Sequence, residues 1–236
     1  MSTPVLAVRG SDFAGLRRQV CAANLLERRY LNYAVRITLT LAIYLATWSV
    51  VVLLGSTWWQ LIPAFALGVI CTQVAFLGHD GGHQQVFRSR RGNDMIGILA
   101  GDLLTGLSYG WWLDKHNRHH AKPNTEGHDP DIGDGVLTFT TGQAARRSGA
   151  FGRAITRRQA YLFFPLLLLE GLSLHVASVR ALVTPGRRRY RKLESVLFVF
   201  HAVAYLAIVF IVMSPVVAVA FIAVHQAAFG FFMGCS

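Results

Sequence analysis

The sequence predicts an all-α integral membrane protein, with four transmembrane helices paired as two hairpins and a cytoplasmic helical cap that carries clustered histidines. Three observations predict it. Of 236 residues, 53% are hydrophobic and only 15% are charged, too oily for a soluble fold of this size. Four apolar runs approach the roughly 20 residues that a helix needs to cross the hydrocarbon layer. The 23 Lys and Arg outnumber 12 Asp and Glu, giving a formal net charge of +11, and all lie within Arg9–Arg36 or Arg88–Lys192. In another composition such a basic balance points to nucleic acid; this segregation marks membrane topology, and no nucleic-acid partner is expected.

Residues 1–36 contain six arginines and read as a cytoplasmic N-terminal segment without a cleavable signal peptide. Residues 37–54 and 58–77 read as the first two spans. Only Gly55-Ser56-Thr57 separates them, so a tight hairpin returns both open ends to the arginine-rich side, which the positive-inside rule puts in the cytoplasm. Residues 197–213 and 216–233 form a second pair, split by Ser214-Pro215 and preceded by the basic run Arg187–Lys192. The protein is therefore expected to be multi-pass, with residues 79–196 and both termini cytoplasmic.

Two further apolar stretches, Met95–Leu113 with Asp102 and Tyr161–Val183 with Glu170 and His175, are bracketed by basic residues on both sides. A single crossing by either would strand one basic cluster outside, so both are placed in the interface or against the cytoplasmic region. The Gly- and Arg-containing stretch 134–158 is the most loop-like part. Cys21, Cys71 and Cys235 are scattered and odd in number, which supports neither a disulfide framework nor a thiolate site.

Five of the nine histidines fall in two short clusters. His79-Asp80-Gly81-Gly82-His83 continues directly from the second span. If the helix persists past Leu77, positions i and i+4 stack on one face and both rings can converge on one ion, with the glycines clearing space beside it. In His116-Asn117-Arg118-His119-His120, i and i+3 share a face with i+4 adjacent. Neutral imidazole suits iron, copper, nickel and zinc. Zinc proteases also use His-x-x-x-His, but there a Glu follows the first His, where this chain has Asp80. A soluble carboxylate-bridged di-iron bundle needs Glu-x-x-His pairs, and no Glu stands three residues before any His. The bland alternative is polar residues at helix ends.

With the His-x-x-x-His box at His79 and His83, the His-x-x-His-His box at His116, His119 and His120, and the trailing Pro123-Asn124-Thr125-Glu126-Gly127-His128-Asp129-Pro130-Asp131 segment, the sequence resembles the membrane fatty-acid desaturase family from Arg28 onward. The Asp in the first box and the Asn in the second resemble the acyl-lipid and linoleoyl-CoA-desaturase-like branch. The resemblance implies that residues 37–236 are a desaturase domain. It further implies that His79, His83, His116, His119 and His120 are ligands of a non-haem di-iron centre. Such a centre uses O2 to remove two hydrogens from a methylene pair of a long acyl chain, carried as acyl-lipid, acyl-CoA or on an acyl carrier. Membrane lipids are expected neighbours, and electrons are expected from a separate ferredoxin-like donor. No residue is required as nucleophile or acid–base catalyst. The family carries a third box after the fourth span, typically Gln-x-x-His-His or His-x-x-His-His, and this sequence stops at Ser236. Five imidazoles do not fill two ions that each take roughly four to six donors. The expectation is therefore a C-terminally incomplete fragment or a truncated, non-catalytic homologue. The rival enzyme is a related di-iron hydroxylase acting on alkyl chains or carotenoids; a bis-histidine haem protein is a third reading.

Other polar residues have two readings each. Asp80 and Asn117 could hydrogen-bond the back nitrogens of ligating histidines or simply be helix-end residues. His128, with Asp129 and Asp131, could join a network around the metal. His225, in the fourth span, is expected to hydrogen-bond between helices, with Gln226 as the candidate partner, and His175 and His201 are expected to be structural. Asp102 and Glu170 are expected to pair with arginines. Trp111 and Trp112 are interfacial anchors or the lining of an acyl channel. The basic run Arg187–Lys192 is expected to signal topology and contact anionic lipid, or to dock an electron donor.

Overall fold

The computed structural model describes residues 12–186 and 188–235, so residues 1–11 of the expected N-terminal segment, Arg187 of the basic run and Ser236 lie outside the described residues. The described residues form helices without strands. They are α1 (Asp12–Ala22), α2 (Tyr30–Leu54), α3 (Leu61–Gly82, entered by a 3-10 turn at Trp58–Gln60), α4 (Arg90–Ile98), a π-helical segment (Leu99–Thr105), α5 (Tyr109–Ala121), α6 (Thr141–Arg146), α7 (Ala150–Leu167), α8 (Glu170–Val183), α9 (Arg191–Val212) and α10 (Pro215–Gly234).

Four helices have the length and apolar character to cross a membrane: Tyr30–Leu54, Trp58–Gly82, Arg191–Val212 and Pro215–Gly234. Each contains nearly all of an expected span, and three of them extend well beyond it. Backbone hydrogen bonding carries a helix past the hydrophobic run that hydropathy detects, so α2 begins seven residues before Ile37 and α3 runs five past Leu77. Large apolar side chains on these helices face outward, Leu53 at 84% and Ile211 at 83% exposure. Water would penalise such a surface, whereas lipid is an apolar solvent for it.

The buried core lies where α2, α3 and α10 meet, with Val51, Ala64, Leu67, Val74, Phe221 and Phe229 inside. α10 packs along much of α3. The approach depends on Gly68, where an added Cβ would stand 2.6 Å from the Ala228 Cβ and 2.8 Å from the Phe229 nitrogen. α2 lies along α3 in the opposite direction: Arg36 near its start reaches Asp80 at 3.0 Å, and Gln60 Nε2 donates to the Val51 carbonyl near its end at 2.7 Å.

The stretch Met95–Leu113 is not one helix. α4 widens into the π-helical segment, which ends at Gly106 in the left-handed region (φ 68°), and α5 begins three residues later. A Cβ at Gly106 would also meet the His201 ring at 2.7 Å. A helix end inside an apolar layer leaves carbonyls that water cannot reach. Those of Leu103 and Leu104 accept from His201 Nδ1 at 2.9 Å and from the Tyr44 hydroxyl at 3.1 Å. Tyr161–Val183 is likewise broken, between α7 and α8, which bend by 79°; joined, the pair would pass as a fifth apolar span.

The stretch 134–158, expected to be loop-like, contains α6 and the start of α7. Thr140 and Gln143 form a capping box that starts α6 despite its polar composition. The basic run at the start of α9 also makes contacts within the protein. Arg188 and Arg191 donate to the carbonyls of Ala181 and Leu182, closing the C-terminal end of α8, and Arg189 stands 3.4 Å from Asp94.

Candidate metal centre

Helix α3 persists through Gly82, so His79 and His83 stack one turn apart with ring centroids 4.6 Å apart. The two intervening glycines face neighbouring helices at close range rather than open space. A Cβ at Gly81 would meet Ile96 at 2.7 Å and the Asn93 carbonyl at 2.8 Å, and one at Gly82 would meet the Trp112 ring at 2.6 Å. Small residues here let α4 and α5 close onto α3, which brings the second cluster to the first.

The start of α5 is anchored by three acceptors. The orphan N–H groups of Tyr109, Gly110 and Trp111 donate to the Asp102 carboxylate at 3.3 Å, Glu194 at 3.0 Å and the Ser108 hydroxyl at 3.3 Å, while Ser108 donates to Glu194 at 2.8 Å. Two buried carboxyl groups at a helix N-terminus suit its unpaired donors. Asp102 therefore pairs with backbone rather than with an arginine, and Glu170 has no ion pair among the described residues. Both expectations of an arginine partner are corrected.

On α5 the His116 ring is the hub. Its Nε2 stands 2.9 Å from His83 Nε2 and 3.0 Å from His120 Nε2, and its centroid is 4.8 Å from that of His79. His79, His83 and His116 each offer a nitrogen within 4.8 Å of the others. Trp112, one turn earlier, stacks on His116 at 4.5 Å and 21° and tilts against His79 at 5.4 Å, so it supports the imidazoles directly.

The cluster favours uncharged rings. Burial, then the neighbouring imidazoles of His79, His120 and His83, push His116 down to about 4 from an ordinary 6.5. His83 is lowered by the same causes in the same order, burial before His79 and His120. Four imidazoles with close nitrogens, of which His83 and His116 are held toward the neutral form, are a suitable donor set for a first-row divalent ion. Two neighbouring donors bound at about 2.1 Å to one ion, as in imidazole–zinc sites, stand about 3 Å apart when their bonds meet at right angles. The 2.9 and 3.0 Å separations around His116 fit that requirement.

His119 turns elsewhere. Its Nδ1 is 3.0 Å from both oxygens of Asp129 and 3.1 Å from Asp131, which in turn pairs with Lys115 at 2.5 Å. Of the five candidate ligands, the fold thus gathers His79, His83, His116 and His120 by their rings and sets His119 alongside with its Nδ1 engaged. The Asp129 and Lys115 contacts do not follow from helical spacing. The only signal for them was their closeness to the second box.

The remaining candidates lie apart. Asp80 is held by Arg36 at 3.0 Å and the Tyr33 hydroxyl at 3.2 Å, with His79 Nδ1 further away at 3.8 Å. Asn117 is exposed on a polar cleft with Arg90 and Arg189, and His128 is exposed with Nδ1 3.4 Å from the Glu126 carbonyl of its own loop. Neither supports a ligating ring. His175 Nδ1 donates to the Gly171 carbonyl at 2.7 Å and His201 caps the π-helical segment, structural roles as expected. His225 bonds the Tyr205 hydroxyl at 2.9 Å, an interhelical partner other than Gln226. These three rings border an apolar cavity of about 240 Å³ between α2, α3, α9 and α10.

Comparison with known proteins places this arrangement in context. A family model described as fatty acid desaturase matches residues 56–236. A Delta(8)-fatty-acid desaturase of Euglena gracilis is 30% identical over 158 residues, 67% of this chain and 37% of that protein. One of Helianthus annuus is 27% identical over 189 residues, covering 73% of this chain and 40% of that protein. A Delta(6)-fatty-acid desaturase of Caenorhabditis elegans is 36% identical over 113 residues, 47% of this chain and 26% of that protein. The matched regions span about two fifths or less of these relatives. No solved structure matches the chain.

Proposed function

Since this chain belongs to the fatty acid desaturase family, we propose that it serves the O2-dependent introduction of a double bond into a long acyl chain, at an iron centre held by His79, His83, His116, His119 and His120. The observation that carries this reading is the convergence on His116, whose Nε2 stands 2.9 Å from that of His83 and 3.0 Å from that of His120, with His79, His83 and His116 each offering a nitrogen within 4.8 Å of the others. Non-haem iron, when held by these histidines, would supply the activation of dioxygen and the oxidising power to remove hydrogen from an unactivated methylene. What the chain's own residues do follows from their contacts. The depressed basicity of His83 and His116 keeps their lone pairs available at neutral pH, Trp112 fixes the His116 ring plane, and the Asp102–Glu194–Ser108 cap fixes the start of the helix that bears it. Five imidazoles leave positions on two ions for further donors and for dioxygen.

In this reading α2 with α3 and α9 with α10 are two membrane hairpins, the two histidine clusters and both termini face the cytoplasm, and the π-helical segment dips back against α2 and α9. The arginines at the open ends support that orientation. The substrate is a long acyl chain reached from the bilayer, whether on a lipid, on CoA or on an acyl carrier. Electrons come from a separate ferredoxin-like protein.

The test is expression of the chain in cells supplied with defined acyl lipids, with iron counted on the purified protein and acyl products resolved by mass spectrometry. The expected result is bound iron together with a new double bond, both lost in His116→Ala. Iron well below one per chain would reduce the chain to a non-catalytic homologue, and a hydroxyl in place of the double bond would make it a hydroxylase.

A further inference from the structure

We propose that Asp129 is a positioning residue that commits His119 to bind metal through Nε2, a role that rests on the metal-centre reading above. The side chain of Asp129 is wholly buried although its loop is largely exposed. Its Oδ2 accepts from the Asn124 backbone N–H at 2.7 Å and its Oδ1 from that of Asp131 at 2.9 Å, with His119 Nδ1 at 3.0 Å from both. Asn124, in the left-handed region at φ 56°, and the 3-10 turn Pro130–Ile132 that Asp129 caps shape the loop around this carboxylate. Lys115 on α5 ties the same loop to its own helix through Asp131.

A carboxylate can only accept, so the nitrogen facing it must carry the proton. His119 is thereby held as the Nδ1–H tautomer, and its Nε2 keeps the lone pair that a metal needs. His119 has a wholly buried carboxylate at hydrogen-bond distance behind it, whereas the one behind His79, Asp80, stands 3.8 Å away and is held by Arg36. The grouping of His119 with Asp129 and Asp131 could also be taken for a metal site. The two backbone N–H donors on Asp129 already engage both of its oxygens and the Lys115 ammonium neutralises Asp131 through Oδ1, which favours a hydrogen-bonded support over a cation site.

The experiment uses the full chain in detergent, with two readouts. In the metal-free protein, imidazole nitrogen NMR reports the His119 tautomer. It should be Nδ1–H in the parent and in Asp131→Ala, which keeps the buried Asp129 acceptor, and a mixture in Asp129→Ala/Asp131→Ala, which removes both carboxylates facing that nitrogen. Cobalt(II) titration should show affinity about 10–100-fold weaker for Asp129→Ala, the range for a lost partner behind a ligating histidine. The double variant His119→Ala/Asp129→Ala should bind no more weakly than His119→Ala alone. Additive losses, a tautomer unchanged in Asp129→Ala/Asp131→Ala, or a His119→Ala protein that still loses affinity on removal of Asp129 would overturn the proposal. In the last case Asp129 is itself a ligand. Failure of the parent to bind cobalt(II) with the tautomer as expected would overturn the metal-centre reading instead, and with it the metal half of this one.

Discussion

The Nε2 atoms of His83 and His116 stand 2.9 Å apart although 33 residues separate them in the chain. One sits at the end of α3 and the other in the middle of α5, so the distance measures how closely two helices have been brought together. Four residue-level expectations follow from this contact and its supports.

Because His116 touches both His83 and His120 by Nε2, its removal opens the cluster at its centre. His116→Ala should weaken metal binding by more than about 100-fold, beyond the effect usual for an outer partner. His128→Ala, on an exposed ring bonded within its own loop, should leave affinity unchanged. Isothermal titration of the purified variants measures both; equal effects would mean that the hub is misplaced.

The metal-free protein should lose stability in acid over a defined window. Burial and then neighbouring imidazoles lower His116 to about 4 in the fold, against 6.5 ordinarily. Below 6.5 the unfolded chain takes up a proton that the folded chain refuses, so this stabilisation is complete above that pH and declines until the folded value is reached. Melting temperature in detergent should fall from pH 6.5 toward pH 4, with a shallower slope in His116→Gln. Metal should also be released on acidification, since ligands must be unprotonated. A melting temperature that climbs on acidification through this window would contradict the assignment.

Glu194 is buried and accepts from Ser108 and the Gly110 backbone, so Glu194→Leu strands both donors at the start of the metal-bearing helix. The expected loss is about 1–3 kcal/mol or somewhat more, because the lost acceptor is charged. Glu194→Gln keeps one acceptor and should lose less. Chemical denaturation followed by tryptophan fluorescence would rank them, and the reverse order would remove Glu194 from its capping role.

Gly68 lets α10 approach α3 to backbone contact, with Ala228, Phe229 and His225 within 2.9 Å of an added Cβ. Two of those neighbours are backbone atoms that cannot swing away. Gly68→Ala should destabilise by about 1–3 kcal/mol, the usual penalty for overpacking. Gly15→Ala, where an added Cβ meets nothing within 4 Å, is the control and should be neutral or slightly favourable. A thermal-shift series that fails to separate the two would show that α3 and α10 are looser than described.

Much of this was legible in the chain itself. The apolar runs mark α2, α3, α9 and α10 because lipid selects composition residue by residue, and the four-residue spacing of His79 and His83 becomes a shared face once α3 continues through Gly82. The break in Met95–Leu113 was not legible. A π-helical turn ending at Gly106 depends on His201 and Tyr44, about a hundred and sixty residues apart from each other, taking up its free carbonyls. Nor was the fate of Asp102, which periodicity leaves without a partner and the fold sets against the backbone of Tyr109.

By itself, then, the sequence determined which segments are apolar enough for a bilayer and which imidazoles share a helical face. These are properties of composition and of a 3.6-residue period, and they need no distant contact. Only the tertiary structure decided that His83 meets His116, that Trp112 backs the pair, and that His119 faces Asp129. Those relationships arise where separate helices and loops pack. Glycines at 81 and 82 permit the approach of α4 and α5, and carboxylates at 102 and 194 hold the end of α5 in place.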